Sequence, residues 1–248
     1  MEFSDNALVL QLGTFREADV WVRLLSPSRG IFSAFAFGGS KSRRRFAGCL
    51  DVFNEISVRV TGSPRNPYLA MQEGVLLNGV SRIRHDWGRY GIAVNCARFL
   101  QSFGVEGDGA AESFLLMRQT LDLLEGEEPL PKLLPLFFRL RLAFEQGYAV
   151  RATECHGCGA SFAGQRAWLV LREGRIVCSA CSGAERGHRI PLGEESMALF
   201  EAVRSLPPSG WNGMAPSGAA MREFARAVDG FIQYHVGIAW DRGRFVRY

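Results

Sequence analysis

Two Cys-x-x-Cys pairs, Cys155 with Cys158 and Cys178 with Cys181, hold four of the six cysteines of the chain. A thiolate is both a nucleophile and a metal ligand, so this stretch is where chemistry is first expected. A disulfide framework belongs to short, cysteine-dense secreted domains. This chain has 248 residues and 47% hydrophobic composition, enough for a large core without staples. It opens on "MEFSDNALVLQLGTF", without the basic start and apolar run of a signal peptide. A thioredoxin-like redox site needs a single pair at a strand-to-helix junction. Two knuckles of two sulfurs each match the closed tetrahedral set of a structural zinc, which leaves no position for a reactive water. One Zn2+ ion is therefore expected on Cys155, Cys158, Cys178 and Cys181. Gly157, Gly159 and Gly183 are expected to permit the turns around sulfur. His156 and His188 read as bystanders, and Cys49 and Cys96 as buried free thiols.

The second chemical feature is charge. The 29 basic and 25 acidic residues give a net +4, a mild preference for an anionic partner. Only Lys41 and Lys132 are lysine, so the basic residues are otherwise arginine. Lys41, Arg43, Arg44 and Arg45 form a run in a Gly/Ser-rich loop, suited to a phosphate backbone, and arginine also stacks on bases. Phe35, Phe37 and Phe46 flank the run. Phe35 and Phe37, at alternate positions, share a strand face. They are read first as barrel core and second as base-stacking platforms. No P-loop, His-Glu-x-x-His or Gly-x-Ser-x-Gly motif is present, and "GGSKSRRR" has the wrong spacing for a phosphate loop. The four histidines are scattered, and His235 reads as a core or capping group on the last helix. No spaced acidic motif supports a nuclease, so a non-enzymatic protein is expected.

The elements that must position these groups change character along the chain. "ALVLQLG", "DVWVRLLS", "GIFSAFAFGG" and "VFNEISVRVTG" are short apolar runs separated by "SPSRG", "GGSKS" and "GSPRNP". That pattern predicts strands of a small barrel or sandwich, with Arg23 and Arg59 on a wet face. Helical spacing then takes over: Trp87, Tyr90, Val94, Ala97; Phe114, Met117, Leu121, Leu124; Leu133 to Tyr148; and Met221, Phe224, Val228, Phe231, His235, Ile238. "RAWLVLREGRIVCS" predicts two strands of a zinc ribbon set between helices, and "SLPPSGWNGMAPSGAA" a flexible loop. No window of about 18 uninterrupted apolar residues suggests a membrane helix, so a cytoplasmic setting is expected.

The whole pattern resembles the RecO family of bacterial recombination mediators. Glu17, Asp19, Gly30, Gly38, Ser42, Arg43 and Phe46 fill the places of its N-terminal pattern. "LLPLFFRLRLAFEQGYAVRATECHGCG" resembles its helix and zinc-knuckle segment, and "FIQYHVG" its last helix, with Tyr234, His235 and Gly237. The resemblance implies an α+β architecture: an N-terminal OB-fold β-barrel followed by an α-helical domain carrying a zinc-ribbon insert. Residues 1–80 would form the OB-fold DNA-binding domain, 81–153 and 185–248 the two parts of the helical domain, and 154–184 the ribbon. It implies binding to single- and double-stranded DNA, strand annealing, a complex with RecR, contact with the single-strand binding protein, and indirect help to RecA, in a cytoplasmic, nucleoid-associated setting. The helical residues around Arg139 and Arg141 are a first place to look for the single-strand binding protein's contact. Lys41, Arg43, Arg44 and Arg45 would carry DNA affinity, with Arg16 and Arg23 as weaker contributors. The family often has a basic residue before the loop glycine, where this chain has Phe37; some members lack the zinc cysteines, which this chain keeps. A zinc-ribbon accessory factor of transcription or replication is the alternative, separated by sequence preference.

Overall fold

The computed structural model describes residues 1–63, 66–162, 164–183 and 187–248. Ala184, at the end of the expected ribbon, and Pro64 and Arg65 of the "GSPRNP" turn lie outside the described residues. The chain divides into two compact units, Met1–Ala93 with Gly104–Glu125, and Val94–Phe103 with Gly126–Tyr248.

In the first unit, β1 (Glu2–Thr14), β2 (Val20–Ser26), β3 (Gly30–Ala36), β4 (Glu55–Ser63) and β5 (Asn66–Asn78) close a barrel in the order β1-β2-β3-β5-β4. Only the β3–β5 pair is parallel. Closure depends on the length of β1. Its first half, Glu2 to Leu8, pairs with β4, and its second half, Leu8 to Thr14, pairs with β2. A register shift between Val9 and Gln11 bends the strand where it changes partners. Alternation then sorts the faces: Val20, Val22 and Leu24 of β2, Ala34 and Ala36 of β3, and Ile56, Val58 and Val60 of β4 fill the interior. Phe46 and Cys49, from the β3–β4 connection, complete that core. This is the OB-like barrel that the resemblance implies.

The strand β5 carries no clear sequence signal and was absent from the expected set. Its alternation is blurred because Val75, Leu76 and Leu77 are all exposed. Gly30 shows a different constraint. Its φ is +69, and a Cβ there would lie 2.2 Å from the carbonyl oxygen of Val105. The β2–β3 turn is thus pressed onto the segment around Val105, and Ile31 N–H donates to the same oxygen at 2.9 Å.

Three helices follow: α1 (Arg82–His85), α2 (Trp87–Phe103) and α3 (Ala110–Glu125). α3 packs on β1, β2 and β3. Its last residue also fixes α1, because the Glu125 carboxylate accepts from the backbone N–H groups of Ser81, Arg82 and Ile83 at 3.0, 3.0 and 2.7 Å. Burial alone would raise this carboxyl, but the three donors outweigh it and hold it below the ordinary glutamate value. Glu125→Ala is expected to destabilise the chain by about 1–3 kcal/mol, measured by urea unfolding. Because the folded pKa is depressed, this stabilisation is full above the unfolded value of about 4.3. It is lost as pH falls through the lower folded value.

The second unit is built on α4 (Leu134–Glu145), α6 (Glu194–Ser205) and α7 (Gly218–His235), which pack on one another. Phe137 meets Phe224 and Trp211 at 5.5 and 5.6 Å, and Phe200 meets Phe224 at 5.1 Å, all edge to face. Trp211 is fully buried, so the stretch read as a flexible loop contains an anchored turn at Pro208–Trp211. Between α4 and α6 lie β6 (Ala167–Val170), β7 (Arg175–Cys178), the single turn α5 (Ser179–Ser182) and β8 (Arg189–Leu192). The sheet order is β7-β6-β8, one strand more than expected. The chain ends in the hairpin β9 (Ile238–Asp241) and β10 (Arg244–Arg247). Ile238 therefore starts a strand rather than closing the last helix. Gly237, with φ +72, ends the helical run before it. No helix among the described residues is long and apolar enough to cross a membrane.

Candidate nucleic-acid interface and metal centre

The candidate metal centre is built by two turns brought together at the end of β7. The Sγ atoms of Cys155, Cys158, Cys178 and Cys181 all lie within 4.8 Å of one another. A tetrahedral ion with metal–sulfur bonds of ~2.3 Å requires sulfurs roughly 3.8 Å apart; Cys158 and Cys178 are 3.9 Å apart. That spacing is nearly twice a disulfide bond of ~2.05 Å, and all four thiols are free. Cys178 N–H donates to Cys155 Sγ at 3.2 Å, the kind of backbone support that orients a ligand sulfur.

Electrostatics fit the same use. Burial opposes ionisation of Cys155, but donors from the Cys178, Cys158 and Gly157 backbone bring its pKa down to about 6. Cys181, hydrogen-bonded to Cys178, Cys158 and Cys155, is pushed up to about 12. Cys155 thus ionises more readily than an ordinary thiol and Cys181 less readily, and a cation bound among the four sulfurs would favour the thiolate form. Of the expected glycines, Gly157 sits in a tight place, since a Cβ would lie 3.1 Å from Cys181 Sγ. Gly159 is required by its φ of +72. Gly183 has an ordinary helical φ of -65 and open space around it, so it needs no special freedom.

The ribbon is docked on α7. A Cβ on Gly230 would meet Ile190 and Leu171 at 3.1 and 3.4 Å, which is how closely the sheet approaches the helix. His235 Nε2 lies 2.7 Å from the Leu171 carbonyl and packs against the Phe231 ring at 4.7 Å. It is a structural anchor between helix and ribbon. Cys49 and Cys96 are buried, and burial raises both thiols, Cys96 to about 12.

On the first unit, the basic run projects from the β3–β4 connection. The Gly39–Lys41 turn is tied to the β1–β2 loop: Gly38 N–H donates to the Asp19 carboxylate at 2.8 Å, and Ser40 N–H to the Ala18 carbonyl at 3.1 Å. Lys41, Arg43 and Arg44 are exposed and make no ion pair among the described residues. Arg45 behaves differently. Its guanidinium donates to the Phe37 carbonyl at 2.6 Å and lies 5.0 Å from the Phe46 ring, so it holds the loop closed. Arg16, exposed in the β1–β2 loop, sits 5.4 Å from the Phe15 ring. Arg23 is half-buried on the outer face of β2, where its Nε donates to Ser33 Oγ at 3.4 Å. An open cleft of about 700 Å3, lined in part by Thr14, Ser40, Ser42 and Asp51, runs between the two loops.

Phe35 and Phe37 do not fill the barrel. The interior positions of β3 are Ala34 and Ala36, and Phe35 points outward between them. It touches Phe15 at 5.0 Å, Tyr68 at 5.2 Å and Phe37 at 6.1 Å, the last pair nearly parallel at 19°. Phe15, Phe37 and Tyr68 are 51%, 42% and 57% exposed, so this aromatic group is open to a stacking partner. Trp21, opposite Phe35 in the register, lies over Gly13, where a Cβ would clash at 2.5 Å. Trp21 shares the phase of Arg23 along β2, a signal that could have found it. Phe15 and Tyr68 carry no periodic signal.

Two family models match the chain, "Recombination protein O N terminal" over residues 1–78 and "Recombination protein O C terminal" over residues 84–244. The chain belongs to the RecO family. It is 47% identical over its whole length to the DNA repair protein RecO of Oleidesulfovibrio alaskensis, and 48% to that of Nitratidesulfovibrio vulgaris. The relative from Lawsonia intracellularis is 41% identical, also across the full length of both chains. The family's sequence pattern acquires physical meaning in this fold: Asp19 accepts from Gly38, which has φ +69, and thereby sets the basic loop. In the C-terminal signature, His235 anchors the ribbon and Gly237 ends α7. Arg139 and Arg141 are turned inward. Arg139 pairs with Asp229 at 2.9 Å, and Arg141 donates to Glu145 and to the carbonyls of Val203, Arg204 and Leu206.

Proposed function

We propose that the protein acts in DNA repair as a non-enzymatic mediator that binds single- and double-stranded DNA, anneals strands and, with RecR, helps load RecA. The observation that carries this reading is the barrel's outer face. There an exposed aromatic group stands on the same small barrel as three exposed cations that make no ion pair among the described residues. Lys41, Arg43 and Arg44 would neutralise phosphates, and Phe35, Phe37, Phe15 and Tyr68 would receive base faces. Arg16 would add a weaker contact from the neighbouring loop, and Arg23 and Arg45 would mainly support the surface. Neutralising phosphates on two strands lowers their mutual repulsion, so annealing needs no nucleotide hydrolysis.

The four cysteines would hold one structural Zn2+, which cancels the charge of the thiolates and ties two turns into the second unit. The single-strand binding protein is a further partner, and the setting is the bacterial cytoplasm beside the nucleoid. The test is annealing of complementary oligonucleotides of arbitrary sequence. The protein is expected to accelerate it without ATP or magnesium and without sequence preference. Binding confined to particular sequences, with no annealing, would instead favour an accessory factor of transcription or replication.

A further inference from the structure

The C-terminal hairpin is basic and aromatic, and its construction is unusual. Its two-residue turn, Arg242-Gly243, has φ +45 and +82, the type I′ geometry that favours Asn, Asp or Gly at both places. Arg242 is one of two non-glycine residues with positive φ among the described residues. A strained arginine at an exposed tip costs stability, which makes the position a candidate for a role outside folding. Arg244 and Arg247 are also exposed, and the acid facing them in the register is Asp241, opposite Arg244.

Trp240 pairs with Phe245 across the hairpin, the rings 4.7 Å apart, yet Trp240 is 47% exposed. Both rings border a cleft of about 200 Å3 whose polar lining is Arg139, Asp229 and Gln233. That is below the ~300–1,000 Å3 of typical small-molecule sites, so it suits one planar ring rather than a whole metabolite. Arg139 stays in place there through Asp229 and lies 5.3 Å from the Phe245 ring.

We propose that this hairpin and its cleft form a second contact for single-stranded nucleic acid. One base stacks on Trp240 at the mouth of the cleft, with its polar edge toward Gln233 and Asp229. Arg242, Arg244 and Arg247 meet the flanking phosphates. The ligand is a single strand because a duplex hides the base faces that Trp240 would receive, and an acidic peptide would meet the arginines but offers the indole no flat ring. A second contact would let one protein hold a strand at more than one point, which deepens the annealing role proposed above and rests on it.

The experiment is a salt-dependent titration of fluorescein-labelled oligo(dT) with the full chain. Its variants are Arg242→Ala/Arg244→Ala/Arg247→Ala, Trp240→Ala, Trp240→Tyr and Arg242→Gly. The triple variant is expected to shrink the log–log salt slope by about two units. Trp240→Ala is expected to weaken binding roughly tenfold, with Trp240→Tyr recovering most of the loss. Arg242→Gly should bind more weakly while its thermal midpoint holds or rises, which separates contact from folding. Wild-type affinity in Trp240→Ala, or an unchanged slope in the triple variant, would overturn the proposal and leave the barrel reading standing. Failure of the wild type to bind oligo(dT) would remove both.

Discussion

Cys178→Ser is expected to strip the chain of bound zinc and to lower its thermal stability far more than an ordinary surface substitution. Cys178 is one of the four clustered thiols, ends β7, and donates its backbone N–H to Cys155 Sγ. Serine keeps the shape but not the soft thiolate, so three sulfurs would face one another with a weakened claim on the ion. Structural zinc binding is worth about 10–16 kcal/mol in isolated zinc-finger peptides. In a larger unit, part of that remains as packing against α7, so a loss of several kcal/mol is expected. The check is metal content per chain together with thermal unfolding before and after chelation. Unchanged metal and an unchanged midpoint would show that the tetrad does not hold a structural ion.

The basic loop should divide its residues into two kinds. Replacing Lys41, Arg43 and Arg44 together by alanine removes three exposed cations that make no ion pair among the described residues. Folding stability should stay within about 0.5 kcal/mol of wild type, as for most surface changes, while affinity for DNA falls steeply. Arg45→Ala should do the reverse. It removes the bond to the Phe37 carbonyl that closes the loop, so stability should drop by about 1–2 kcal/mol. Its salt slope should change little. Thermal unfolding and binding measured on the same preparations separate the two classes.

How far the sequence revealed this arrangement depended on how local each signal was. The tetrad was legible because four identical ligand types at fixed spacing have few other uses. The barrel was legible from strands β1 to β4, where alternation is clean, but β5 was not, because its outer residues are apolar. The same local rule misassigned Phe35 and Phe37: two phenylalanines beside two alanines look like a core face, yet the narrow barrel interior admits the alanines. Arg45 could not be told from Arg44 by spacing, since only the folded loop brings it to the Phe37 carbonyl. α6, β8 and the β9–β10 hairpin carry little sequence signal because they are short or lie between turn-rich stretches. The hairpin's cleft depends on Arg139 and Asp229, which are far apart in the chain and meet only through the packing of α4 on α7.

The central claim, that the barrel holds DNA through Lys41, Arg43 and Arg44, is tested most directly by equilibrium binding of a labelled single strand across a range of salt concentrations. Wild type and the triple alanine variant are compared under identical conditions. The account predicts strong salt dependence in the wild type and a slope smaller by about two units in the variant, with weaker binding throughout. Equal affinities and equal slopes would contradict it and place the DNA surface elsewhere on the molecule.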